Sequence, residues 1–293
     1  MRMRKLAQGA TILAAVLAFV GIQVAQAGGS VTITGTDLTG ATATWDVQND
    51  TYYGSGGPCF ATTGYQPVED GSYGSQTDAF DGGLLVVVNG HTFNDNDGMG
   101  TKSHQQLTVG PTKMSGLRVT RVDTAFSTSP TLRSLVMFKN PTSHSIKEPV
   151  LWDSAMGADT NTLVQETSSG DQTFTLSDRW FVASDDNVAP GDPPVTMVMY
   201  GRGSVQKPAA VLNAPGQASS GPNSFDSTSC ITEKFVMNVP ANSTQSLLFF
   251  TEMHDTNTTA TNAAPKYNTT KPSNKLFDGL STKVRGTIVN WNL

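Results

Sequence analysis

The sequence predicts an all-β protein, mainly an antiparallel β-sandwich that ends in short C-terminal helices. Most of the chain after residue 28 alternates apolar and polar residues in short runs, which is the pattern of strands that bury one face. Gly, Pro, Asn and Asp separate the runs, as expected for turns. Helical periodicity is missing until the last part of the chain. About thirteen strands fit one sandwich or an extended array of two sandwiches.

The first 27 residues have the parts of a secretory signal peptide. Three basic residues among the first five precede an apolar run over 10–22, and small residues at 25–27 form a cleavage site. The apolar run is shorter than the roughly 20 residues of a membrane-spanning helix. We therefore expect a β-sandwich domain over 28–293 that is secreted, periplasmic or at the cell surface, with no membrane span.

The charge distribution argues against nucleic acid as a partner. Without the leader, the formal net charge falls from −5 to −8, and an acidic surface repels phosphate backbones. Residues 28–101 contain nine acids and no Lys or Arg. Such a segment is either a solvated surface or a binding region for a hard cation such as calcium.

Cys59 and Cys230 are the two cysteines of the chain. In an oxidising, exported compartment we expect them to form a disulfide with each other. On the loop-closure model a bridge of this span contributes at most roughly 5 kcal/mol. The bridge would tie the acidic N-terminal third to the C-terminal half.

The alternating runs give the predicted strands in chain order. The run over 84–88 is apolar on both faces, which predicts a doubly covered strand, and Asn89-Gly90 after it favours a tight hairpin. The full set of predicted strands spans 31–36, 41–47, 84–88, 105–109, 117–125, 132–139, 147–152, 162–167, 172–176, 180–183, 195–200, 231–239 and 245–253.

Two polar stretches, 49–83 and 255–272, predict long loops, and the first is a candidate ligand surface because ordered long loops often carry function. A helical tail is predicted from about residue 273. Ser273 and Ser281 are its candidate N-caps. Val284, Ile288 and Trp291 recur at helical spacing in its second helix.

The chain lacks the Gly-x-Ser-x-Gly, Walker, Gly-x-Gly-x-x-Gly and His-Glu-x-x-His motifs. The best calcium candidate is the run with Asn94, Asp95 and Asp97, although no register of it supplies every oxygen of an EF-hand loop. An Asp/Asn/Gly turn between strands is the simpler explanation of this run. The pair Asp185-Asp186 after an aromatic strand has a similar, weaker claim.

The best enzymatic candidate is the pair Glu252 and His254, which follows an apolar strand. Residues two apart on a strand project to the same face, so the two side chains can share a cleft. A carboxylate beside an imidazole suits proton transfer at a sugar carbon or oxygen. An ordinary surface pair at a strand end is the alternative.

Aromatic residues suggest a platform for sugar rings, with nearby Asp and Asn accepting hydroxyl hydrogen bonds. An ordinary aromatic content of 8% also allows these rings to be core residues. The candidate platform residues are Tyr52, Tyr53, Tyr65, Trp152 and Trp180.

Several short motifs lie after residue 132: Arg133–Val136, Asn140–Thr142, Thr167–Asp171, Ser177–Trp180, Ser184–Asp186, Gly279–Ser281 and Ile288–Trp291. This set resembles the β-rich modules of uncharacterised bacterial secreted and surface proteins. The resemblance implies a β-sandwich with a small helical tail and assigns no catalytic residue.

These observations favour a secreted, non-catalytic module that binds a surface glycan or matrix component, with calcium as a candidate ligand of its acidic loop. The first alternative is a carbohydrate-active enzyme of the lyase, hydrolase or mutarotase-like kind that uses Glu252 and His254. The second is a structural subunit of a surface layer or fibre.

Overall fold

The computed structural model describes residues 30–36, 40–48, 68–93, 100–157, 161–185, 191–212, 229–270 and 274–293. In these ranges the protein is all-β, as predicted. Its strands are β1 Ser30–Thr36, β2 Thr42–Gln48, β3 Val68–Tyr73, β4 Leu85–Val88, β5 His91–Thr92, β6 Thr101–Ser103, β7 Gln106–Met114, β8 Leu117–Ala125, β9 Thr131–Lys139, β10 Ile146–Ala155, β11 Leu163–Thr167, β12 Trp180–Ser184, β13 Val195–Val198, β14 Ala210–Val211, β15 Cys230–Val239 and β16 Thr244–Met253.

These strands form three antiparallel sheets. One has the order β1-β2-β3, the second β14-β15-β10-β4-β5, and the third, with eight strands, β11-β12-β13-β16-β9-β8-β7-β6. Trp152 of β10 stacks on Phe249 of β16, with ring centroids 3.8 Å apart and planes inclined by 6°. Phe235 of β15 meets Phe249 edge-on at 5.8 Å. The five-stranded and eight-stranded sheets therefore pack face to face as a sandwich.

Strand β16 is buried on both faces because the C-terminal tail covers the outer face of the eight-stranded sheet. Its odd-numbered residues, such as Phe249, face the five-stranded sheet. Its even-numbered residues belong to a second apolar cluster with the tail. In that cluster Phe250 lies 5.3 Å from Trp291 and 5.7 Å from Tyr267, measured between ring centroids.

The tail consists of helix α1 (Asn257–Ala263), 3-10 turns at Ala264–Asn268 and Asn274–Phe277, and helix α2 (Thr282–Arg285). Asn290 fixes its end to the sheet, because its side-chain amide donates to the carbonyls of Leu248 and Met199 and accepts from the Leu248 N–H, each at 2.8 Å. No helix in the described ranges is long and apolar enough to span a membrane.

Several local predictions are confirmed. Asn89 and Gly90 have φ of 51° and 80°, and they join β4 to β5 as a tight hairpin. The side chain of Ser281 accepts a hydrogen bond from the Val284 N–H at the start of α2. The tail packs on a sheet, as its apolar residues require.

Other local predictions are wrong. The stretch 172–176 is not a strand, while 68–73, predicted within a loop, forms β3. Most of 255–272 is helical because Ala260, Ala264 and Tyr267 bury one side of it. Helix α2 ends at Arg285, so Ile288 and Trp291 lie beyond it, where the chain runs beside β16.

Three predictions concern residues outside the described ranges: the signal peptide, the Ser273 cap and the disulfide partner Cys59. Cys230 is buried at the first position of β15. The Cys59–Cys230 bridge stays a prediction.

Candidate functional site

The structure places the predicted aromatic residues that it describes in the core. Trp152 is 3% exposed and lies between Phe249 and the guanidinium of Arg121, which is 5.1 Å from its ring. Trp180 is 1% exposed, and its indole N–H donates to Asn268 at 2.9 Å. The prediction that these two rings form a sugar platform is therefore wrong, since neither presents a face to solvent. The other predicted ligand or calcium residues lie outside the described ranges: Tyr52, Tyr53, Tyr65, Asn94, Asp95 and Asp97.

Glu252 lies on the outer face of the eight-stranded sheet, beneath the tail. It is the last even-numbered residue of β16, the set that faces the tail. Its directly opposed neighbours in the ladder are Thr131 on β9 and Thr196 on β13. Opposed residues of antiparallel strands share a face, so two threonines flank the carboxylate.

Three side chains donate to the Glu252 carboxylate. The hydroxyl of Thr131 lies 3.1 Å from Oε1, and that of Tyr267 lies 3.1 Å from Oε2. The ammonium of Lys266 forms an ion pair with Oε1. Glu252 is 1% exposed, whereas the Lys266 side chain is 39% exposed. The three donors thus stabilise the negative charge of Glu252 in the interior, and the partly exposed lysine connects this charge with solvent.

Lys266 and Tyr267 come from the 3-10 turn after α1, so the tail completes the site. Burial, and then the negative charge of Glu252, raise the pKa of Tyr267 well above its ordinary value of 10.0. The phenol therefore stays protonated near neutral pH and remains a hydrogen-bond donor to the carboxylate.

His254 joins this site, as the sequence predicted. Its Nε2 lies 4.0 Å from Glu252 Oε1, slightly beyond hydrogen-bond distance, and the residue is 5% exposed. Its backbone N–H donates to the carbonyl of Pro194, just before β13. We call Glu252, His254, Lys266, Tyr267 and Thr131 the Glu252 cluster.

The hydroxyl of Thr196 adds an unused polar group beside the Glu252 cluster. The residue is fully buried, and its Oγ1 has no hydrogen-bond partner among the described residues. Buried polar groups in proteins are nearly always hydrogen-bonded. A buried hydroxyl opposite Glu252 without a hydrogen-bond partner among the described residues therefore needs an explanation. A functional role for Thr196 is one such explanation.

A chain of hydroxyls leads from Glu252 to the turn between β8 and β9. Ser129 donates to Thr131 Oγ1 at 2.9 Å, and Thr131 in turn donates to the carboxylate. The same turn, through Phe126 and Ser127, borders a groove of about 460 Å³ on the molecular surface. The hydroxyl chain from Glu252 thus ends in the turn that borders the groove.

The groove has the polar groups and the aromatic surface that sugar binding requires. It offers amide, hydroxyl, imidazole and carboxylate groups, and no Lys or Arg side chain lines it. His104, in its wall, has a positive φ of 54°. Its main lining residues are His104, Gln106, Thr124, Phe126, Ser127 and Asp278.

The sequence predictions included Glu252 and His254, at the end of β16, but not Lys266 and Tyr267 of the tail. Lys266 and Tyr267 lie in the segment predicted as a loop, where the recurring apolar residues 260, 264 and 267 were the available signal. Among the described residues, no three His, Cys, Asp or Glu side chains group as a metal site.

Comparison with known proteins gives structural likeness without sequence similarity. No protein-family model matches the sequence, and no curated protein does. An Escherichia coli K12 protein assigned as an aldose 1-epimerase has 11% identity and a TM-score of 0.42, with 77% of this chain and 99% of that one covered. A galactose mutarotase-like protein from Lactobacillus casei has 9% identity and a TM-score of 0.40, with coverages of 77% and 100%. A heparinase III has 9% identity and a TM-score of 0.43, with 78% and 35% covered.

These similarities assign no residue role to this chain. They do correct the preference for a non-catalytic module, because the similar structures named above are described as carbohydrate enzymes.

Proposed function

We propose that this protein is a carbohydrate-active enzyme that transfers a proton at a sugar, with Glu252 as the base. The observation that carries the proposal is the buried Glu252 carboxylate, which has three donors and lies at the end of a hydroxyl chain from Ser129, in the turn that borders the groove.

His254 is the partner for the second proton. Its Nε2 needs to move less than about 1 Å to reach hydrogen-bond distance from Glu252, and catalytic hydrogen bonds often tighten when substrate binds. Lys266, the most exposed member of the cluster, balances the charge of Glu252 and can exchange protons with solvent.

The cluster favours an epimerase, mutarotase or lyase over a hydrolase. Glycosidases use two carboxyl groups about 5 to 10 Å apart across the scissile bond. Glu252 is the single carboxylate of the cluster, and its neighbours are donors. One base and one proton donor suffice to open a sugar ring or to abstract a proton beside a carboxyl group.

The test is a pair of activity panels on the purified protein. Polarimetry on free aldoses detects anomer exchange, and ultraviolet absorbance on uronic-acid polysaccharides detects the double bond left by a lyase. We expect turnover on one panel. Glu252→Gln should lower kcat by about 100-fold or more, and Thr131→Val should lower it because the hydroxyl chain is broken.

The matched control is Glu148→Gln on β10, which leaves the cluster intact and should keep full activity. Circular dichroism and thermal unfolding verify that each variant is folded. Absence of turnover on both panels by folded wild-type protein, or full activity of folded Glu252→Gln, would contradict the proposal.

A further inference from the structure

A small cavity lies where the end of β10, the end of β12 and the entry to β13 meet. Its volume is about 10 Å³, enough for one water-sized particle. Oxygen atoms can be supplied to it by two carboxylates and two hydroxyls. Its polar lining residues are Thr162, Ser184, Asp185 and Asp192.

The two carboxylates are held close to each other by the backbone. The Asp192 N–H lies 3.3 Å from Asp185 Oδ2, which accepts its hydrogen bond. A Cβ at position 191 would lie 2.1 Å from that same oxygen, so only glycine at 191 lets the Asp185 side chain lie there.

The cavity is surrounded by further negative charge. Burial, and then repulsion by neighbouring carboxylates, raise the pKa of Asp192 to about 7. The carboxylates that act on it are those of Asp78, Asp185, Asp70 and Asp81. A site of this kind binds a cation or a proton readily, since either relieves the repulsion.

Thr162 points independently to a ligand. The residue is 1% exposed, lines the same cavity, and its Oγ1 has no hydrogen-bond partner among the described residues. An unsatisfied buried hydroxyl is costly. A particle in the cavity that binds oxygen atoms would satisfy it.

We propose that a calcium ion binds in this cavity, with Asp185, Asp192 and Thr162 as its protein ligands and water completing the coordination shell. All three supply oxygen, the atom that hard cations prefer, and calcium accepts an irregular shell more readily than magnesium does. These residues differ from the run with Asn94, Asp95 and Asp97 that the sequence predicted as a calcium site.

Thermal unfolding and calorimetry of the full chain test the proposal. With calcium at about one hundred times its Kd, we expect Tm to rise by about 5 °C relative to protein in chelator, because the ion binds only the folded state. Titration calorimetry should give one site with a Kd of about 10⁻⁴ M. Magnesium should give a smaller rise.

Two variants separate binding from folding. Asp192→Asn should abolish the calcium-dependent rise and still be as stable as wild type in chelator, since it removes repulsion. Thr162→Val should weaken calcium binding about tenfold without loss of stability in chelator, because it removes an unsatisfied hydroxyl. Asp255→Asn, at an exposed acid, is the control and should bind calcium like wild type.

Two outcomes would overturn the proposal: no calcium-dependent rise in the Tm of wild type, or an undiminished rise in Asp192→Asn.

Discussion

Two glutamates among the described residues are almost completely buried, one beneath the tail and the other between the two packed sheets, and their surroundings differ sharply. Glu252 lies beneath the tail with a lysine, a tyrosine and a threonine donating to it. Glu233 of β15 lies in the interior, and neither of its carboxyl oxygens has a hydrogen-bond partner among the described residues. Burial raises the pKa of Glu233 well above its ordinary value of 4.5.

The difference shows two ways to bury a carboxyl group. Hydrogen-bond donors and a counter-charge stabilise an ionised carboxylate in the interior. The secondary-structure elements that supply these groups are thereby bound to the element that carries the carboxylate. Without donors, the group keeps its proton and becomes a neutral side chain. In this protein the first solution attaches the tail to the sheet. The second, at Glu233, lies among core residues such as Tyr200, whose pKa burial raises to about 12.

Removal of the Glu252 carboxylate should have the largest effect. Glu252→Leu leaves the hydroxyls of Tyr267 and Thr131 buried without an acceptor, and we expect a loss of about 3 kcal/mol in the free energy of unfolding. The ion pair with Lys266 contributes little of this, because the lysine is partly exposed. Urea unfolding measures the change. Glu148→Leu is the control, and a loss under about 1 kcal/mol for Glu252→Leu would contradict the tail-anchoring role.

Tyr267→Phe should have an intermediate effect. The ring and its contact with Phe250 remain, and one hydrogen bond to a charged acceptor is lost, at about 1.5 kcal/mol. The same change made in Glu252→Leu protein should cost much less, because the acceptor is already gone. Equal costs in the two backgrounds would mean that this hydrogen bond does not couple the residues.

Glu233→Met should have the smallest effect and the opposite sign. The folded pKa of Glu233 lies above the unfolded one, so its contribution to stability is complete below about pH 4.5 and is lost as pH rises towards the folded pKa. Methionine has no such dependence, and we expect the variant to gain about 1 kcal/mol over wild type at pH 8. Unfolding series from pH 4 to 8 test this. A variant with the same pH slope as wild type would show that Glu233 is not the group that titrates.

The sequence predicted the sandwich well, because alternation along each strand follows directly from burial of one face. It also predicted that Glu252 and His254 share a face, since they lie two apart at the end of an apolar strand, and the structure places their side chains 4.0 Å apart; their catalytic role stays a prediction. It could not identify Lys266 and Tyr267 as partners, because their contact with Glu252 depends on how the tail folds back on the sheet. Thr and Asn dominate that segment and favour turns over helices, and only the packing of Ala260, Ala264 and Tyr267 overrides this preference.

The position of β9 between β8 and β16 has a consequence for how the polypeptide folds during synthesis. Strand β8 precedes β9 directly, whereas six of the strands described here are made after β9 and before β16. Until β16 emerges, β9 keeps one edge of unpaired amides and carbonyls, which invites association between nascent chains. Arg133, the third residue of β9, lies on the face that the tail later covers, and it is a charge of the kind that discourages such association.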